Sequence, residues 1–108
     1  MSVMRASAAF VAALTMVLPS AAIADGKATG RITRLSYDPA AVYILTDAAK
    51  TDNPTCSVST NQFAVPLTNT TAIAFLLTAR ANGTVVVIGG TGACTTVAGI
   101  ENFNWVGY

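Results

Sequence analysis

The alternation of apolar and polar positions along the chain changes character several times, and each change marks an element. Lys27–Ser36 (KATGRITRLS) alternates, which predicts a strand. Ile32 and Leu35 are three residues apart, so turning both inward requires a bulge between them. Tyr37-Asp38-Pro39 is turn chemistry, because proline cannot donate to a ladder. Ala41–Thr46 (AVYILT) is β-branched and aromatic and predicts a second strand. Asp47–Thr55 is a polar loop with an Asn-Pro step. Cys56–Val65 alternates loosely and predicts a third strand, with Val58, Phe63 and Val65 turned inward.

The period then becomes helical. Thr68 or Asn69 can cap a helix over TTAIAFLLTARAN, with Arg80 in its last turn and Gly83 ending it. Ile73, Leu76 and Leu77 form its apolar stripe, and Phe75 points away from them. Phe75 is therefore either part of a broadly buried helix or a subunit-interface residue. Thr84–Ile88 predicts a fourth strand, Gly89-Gly90-Thr91-Gly92 a turn, and Ile100–Tyr108 a fifth strand with Phe103 and Trp105 on one face, read as core, with an exposed glycan-stacking surface as the alternative. Three strands, a helix and two strands predict a mainly β fold, an OB-fold-like five-stranded barrel with one helix between strands 3 and 4. An open α+β sheet with the helix on one face is the competing architecture.

The first 24 residues follow a different logic. Met4-Arg5 supplies positive charge, Ala6–Leu18 is an apolar run, and Ala22-Ile23-Ala24 is the small-x-small pattern that a signal peptidase reads. The run is shorter than the ~20 residues a spanning helix needs, so no membrane span is expected. Residues 1–24 are read as a signal peptide cleaved after Ala24, and residues 25–108, starting at Asp25, as one domain that is secreted or periplasmic. Export decides the reading of Cys56 and Cys94, the only two cysteines, which should form a disulfide in an oxidising compartment. Closing a loop of roughly 39 residues is worth roughly 3–4 kcal/mol by chain entropy.

Composition narrows the chemistry. The chain contains no histidine, the commonest general base and metal ligand, so neither a metal nor a cofactor is expected. Six basic against five acidic residues leave no basic footprint for nucleic acid. Serine has no base to activate it. The carboxylates Asp38, Asp47, Asp52 and Glu101 could in principle pair for glycoside hydrolysis, but the three aspartates sit in predicted turns or strand ends. Gly89-Gly90-Thr91-Gly92 lacks the lysine and following helix of a phosphate loop. Asn69-Thr70-Thr71 and Asn82-Gly83-Thr84 match glycosylation sequons and are equally explained as helix-end chemistry. No enzyme is expected.

The succession of Gly30–Leu35 (GRITRL), Val42–Leu45, Cys56, the helix at Ala72–Arg80, Val85–Cys94 and Glu101 resembles small exported bacterial proteins of the subtilase-cytotoxin B-subunit-like family, which are similar to the receptor-binding B subunits of AB5 toxins. The resemblance implies an OB-fold, a homopentameric ring and surface binding of glycans. Such B subunits place a serine before the first strand to hold a sialic-acid carboxylate. Here Ala28 takes that place with Thr29 beside it, and Arg80-Ala81-Asn82 replaces a pocket aromatic, so the sialic-acid site is not carried over. Nothing in the chain identifies a toxin A subunit. Thr29 and Asn82 are the candidate ligand-binding residues, with hydroxyl and amide groups suited to sugar hydroxyls. The functional expectation is an exported, non-catalytic glycan-binding module. The alternative is a stand-alone exported structural or inhibitor-like barrel that binds protein.

Overall fold

The computed structural model describes residues 25–108; the expected leader, with Ala22 and Ala24 at its cleavage point, lies outside them. Five strands and one helix follow in the expected order: β1 (Lys27–Tyr37), β2 (Val42–Thr46), β3 (Phe63–Val65), α1 (Thr70–Asn82), β4 (Val85–Gly90) and β5 (Glu101–Gly107). The sheet closes on itself in the order β1-β2-β3-β5-β4, with β4 pairing back onto β1. Neighbours are antiparallel except β3 and β5, which run parallel.

Strand β1 is long enough to serve two partners, and its bulge lets it do so. Lys27–Arg31 pairs with β4, and Ile32–Tyr37 pairs with β2. The register slips between Ile32 and Arg34, so Thr33 is the extra residue. That single insertion shifts the inward phase from Ala28 and Ile32 to Leu35, as the spacing of Ile32 and Leu35 requires. Gly30 sits where β1 passes closest to the next loop, and any side chain there would overlap the Asp47 carboxylate.

A second bulge corrects the reading of the last strand. Gly89 opposes Trp105 and Gly90 opposes Phe103, leaving Asn104 unpaired. The inserted residue turns Phe103 into the core and Trp105 to the outside, so the two aromatics do not share a face. Strand β3 is also shorter than expected. Residues 56–62 do not join the ladder; the amides of Val58 and Ser59 both donate to the Gly99 carbonyl instead, at 2.8 and 3.0 Å. Val58, expected inward, is 84% exposed. Gly89 and Gly90 belong to β4 rather than to the turn after it.

Inside the closed sheet, Ala28, Ile32, Val42, Ile44, Phe63, Val65, Val86, Ile88 and Phe103 make the core, and α1 covers one end of it with Leu76 and Ala79. Each fully buried side chain of Leu or Ile size contributes roughly 1.5–3 kcal/mol. The helix is delimited as its sequence dictates. Asn69 caps its start, Oδ1 accepting from the Ala72 amide, and Gly83 ends it in the left-handed conformation at φ 65°. Cys56 and Cys94 are bonded, their Cα atoms 6.0 Å apart, and this joins the β2–β3 loop to the β4–β5 loop.

Candidate functional site

The outward residues of three adjacent strands form the first candidate surface. Along β1, Lys27, Thr29 and Arg31 face out while Ala28, Gly30 and Ile32 face in. Across the pairing, Lys27 aligns with Gly89 of β4 and Trp105 of β5; the next row is Thr29, Val87 and Gly107. Strands lie ~4.8 Å apart, so Thr29 and Trp105 occupy one patch on the order of 10 Å across. Gly89 is what fits the indole to it: a Cβ there would overlap Trp105 Nε1 and the adjoining ring atoms. The ring therefore lies against bare backbone on one side, with 42% of the residue open to solvent.

At one margin of this surface stands the end of α1. Arg31, two positions from Thr29, donates Nε–H to the Gly83 carbonyl at 2.9 Å, next to Asn82. The Arg31 amide donates to Asp47 Oδ1 at 3.0 Å. The two sequence-chosen residues, Thr29 and Asn82, are both exposed and lie on either side of this Arg31 link. The patch thus offers one aromatic face, a hydroxyl, an amide and two flanking cations. Sequence reading favours Trp105 as core and leaves its exposure as the alternative, because strict alternation puts it in phase with Phe103. A strand carrying Gly89-Gly90 opposite two aromatics is the available signal that something large lies over backbone.

The second surface is α1 itself. Its exposed residues are Thr70, Thr71, Ala74, Leu77, Thr78, Arg80, Ala81 and Asn82, of which only Arg80 is charged. The one ionisable residue of the helix, Arg80, is in its last turn. Leu77, expected in the buried stripe, is 55% exposed, while Ala79 is buried in its place. On Leu77's flank, a groove of about 260 Å³ is lined by Leu35, Ser36, Tyr37, Val42, Ile73 and Leu77. On the opposite flank, half-buried Phe75 stacks against Tyr108 with ring centroids 5.1 Å apart.

Glu101, Asp47 and Asp38 each have their own partners in the fold. Glu101 is fully buried, with Oε2 accepting from the amides of Gly26 (2.8 Å) and Gly92 (3.0 Å). Its Oε1 lies 2.9 Å from Lys50 Nζ, which also donates to the Gln62 carbonyl at 3.1 Å and sits 4.3 Å from the centre of the Phe63 ring. Side chains at Gly26 or Gly90 would overlap this carboxylate, so both glycines are part of its seat. The group clasps the start of β1 to both loops and has no access for substrate. Lys50, in a polar loop, carries no sequence signal for burial.

Asp38 has another structural duty. Its carboxylate accepts from the Ala40 and Ala41 amides and from the Tyr43 hydroxyl. The Ala40 amide, then the Tyr43 hydroxyl, hold its pKa below the usual value. Desolvation, then the Asp38 hydrogen bond and charge, push Tyr43 upward. Asp47 is engaged with β1 and Asp52 lies in the loop, so the acids are dispersed. Among the described residues no three His, Cys, Asp or Glu side chains converge to hold a metal, and no helix is long and apolar enough to cross a membrane. No protein-family model, curated protein or solved structure matches the chain.

Proposed function

We propose that this chain is an exported, non-catalytic binding module with an OB-fold, assembled as a homo-oligomeric ring that holds cell-surface glycans on the outer face of β1, β4 and β5. The observation that carries the reading is Trp105, an indole against the backbone of Gly89 and 42% exposed, with Thr29 in the neighbouring row. A pyranose has one face of C–H groups that packs on an aromatic ring, and equatorial hydroxyls that pair with groups such as the Thr29 hydroxyl. A site on the outer face of strands is shallow and weak, and a ring of such sites raises the effective affinity through local concentration.

Three further features support the reading. The strand order, the parallel β3–β5 pair and the helix between strands 3 and 4 fit an OB-fold. An exposed helix surface with a single charge, Arg80, is what a subunit contact leaves on an isolated copy. The Cys56–Cys94 disulfide fits an oxidising compartment outside the cytosol. A ring of five follows the resemblance to toxin B subunits.

The test is a glycan array probed with protein whose oligomeric state has been verified, comparing wild type with Trp105→Ala and Thr29→Ala. Wild type should bind a defined set of glycans, Trp105→Ala should lose them, and Thr29→Ala should bind more weakly. A verified oligomer that binds no glycan overturns the lectin reading and favours the protein-binding barrel.

A further inference from the structure

We propose that Asn82 is a site of spontaneous deamidation, at which its side-chain amide is lost through a cyclic imide with Gly83 and a carboxylate takes its place at the end of α1. Asn82-Gly83 is the one Asn-Gly step in the sequence. The reaction needs the amide nitrogen of the following residue to reach the asparagine Cγ, and glycine obstructs that approach least because it has no side chain. Both partners are accessible here. Asn82 and Gly83 are exposed, and a Cβ on Gly83 would meet no atom within 4 Å.

The helix end supplies a freedom that a helix interior withholds. Asn82 is the last residue of α1, and Gly83 has already left the helix at φ 65°. Two amides close the helix there: Thr84 donates to the Ala79 carbonyl at 3.1 Å and Gly83 to the Arg80 carbonyl at 3.3 Å. The attacking nitrogen is thus tied by the longer of the two bonds, in a terminal turn of the kind that frays. The other five asparagines lack this combination. Pro54, after Asn53, has no amide proton to give up. Asn69 is engaged as the cap of α1, and Asn102 is held by the Thr95 and Thr96 amides. Asn61 and Asn104 are followed by Gln62 and Trp105, whose side chains crowd the nitrogen that would attack.

The chemistry needs only water and hydroxide. Hydroxide removes the Gly83 amide proton, the nitrogen adds to Asn82 Cγ, and the Cγ–Nδ2 bond breaks, Nδ2 leaving as ammonia after taking a proton from water. Water then opens the imide. Breaking the new N–Cγ bond gives aspartate; breaking the bond from the Gly83 nitrogen to the Asn82 main-chain carbonyl gives isoaspartate, with one more carbon in the main chain. Either product puts a negative charge at the C-terminal end of α1, where the helix dipole disfavours it. That end is also where Arg31 Nε–H holds the Gly83 carbonyl at 2.9 Å. The isoaspartyl product alone lengthens the chain between α1 and β4 and so pulls the Gly83 cap apart.

The test is to age the folded, disulfide-intact protein in mildly alkaline buffer and to separate the undigested chain by ion exchange. A more acidic form should accumulate, faster as pH rises, and peptide mass spectrometry should place its amide-to-acid change at Asn82 before any other asparagine. An isoaspartyl methyltransferase should label part of that form. Asn82→Ser, at an exposed position that tolerates the change, should fold and produce no acidic form on the same timescale. Asn82→Asp reproduces the aspartate product and should melt above the isolated isoaspartyl fraction. Asn82 keeping its amide while the denatured chain loses it, another asparagine reacting first, or an acidic form that persists in Asn82→Ser would overturn the site. Equal melting of the isoaspartyl fraction and Asn82→Asp would overturn the proposed effect on the helix cap.

Discussion

At the scale of single residues, the most consequential side chain is Lys50. It sits in a stretch of sequence that reads as solvent-exposed loop, yet it is buried with its ammonium against Glu101 and the Phe63 ring. Removing one partner of such a pair strands the other charge without water, a loss of roughly 3–5 kcal/mol. Lys50→Met should therefore lower unfolding stability by about that amount in urea titrations. A variant as stable as wild type would show that the pair contributes nothing net. Asp38 predicts a pH effect instead of a large energy. Its folded pKa lies below the unfolded value of 3.8, so its contribution is present above that pH and is lost as pH falls through the lower folded value. Tyr43 works at the other end: its raised pKa favours the neutral phenol, and that contribution fades as pH rises above 10.0. Asp38→Asn should flatten the acid limb of stability against pH by lowering the neutral plateau, while stability below the folded pKa changes least, measured by thermal melts across that window.

At the scale of elements, the sequence specifies what is local and leaves open what depends on pairing. The α1 limits were legible because capping is a property of a few adjacent residues, and Asn69 and Gly83 occupy the positions the pattern assigns. Gly83 takes φ 65° with open space around it, so Gly83→Ala should cost about 1 kcal/mol through backbone strain alone. A thermal melt unchanged by the substitution would refute that. The β1 bulge was legible because Ile32 and Leu35 are both strongly apolar and cannot share a phase without it. The β5 bulge was not, because Phe103 and Trp105 at alternate positions look like one face; only Gly89 and Gly90 across the ladder reveal the slip. Residues 56–62 carry strand-like side chains but are held by the disulfide and by Gly99, both remote in sequence. Those loops depend on their cross-link. Cys94→Ser should lower stability by roughly 2–5 kcal/mol, read from denaturant midpoints under non-reducing conditions. An unchanged midpoint would mean that hydrogen bonding alone holds the two loops.

At the scale of the whole molecule, the charge count, the missing histidine and the order of elements pointed to a small mainly β binding domain, and the closed five-stranded sheet with its one helix has that order. The candidate site was half legible. Thr29 and Asn82 were readable as exposed polar groups at a strand and a helix end. The ring beside them was not, since the outward turn of Trp105 follows from a bulge that appears only when β4 and β5 are paired. That ring also supplies the direct probe of the account. Trp105 is the only tryptophan in the chain, so its fluorescence reports the proposed platform and nothing else in the protein. The measurement is a titration of the oligomer with a glycan that it binds on the array, following tryptophan emission. A sugar stacked on the open indole face displaces water from it, so the account predicts a saturable blue shift that parallels binding and that weakens in Thr29→Ala. Saturating glycan binding with Trp105 emission unchanged would contradict it.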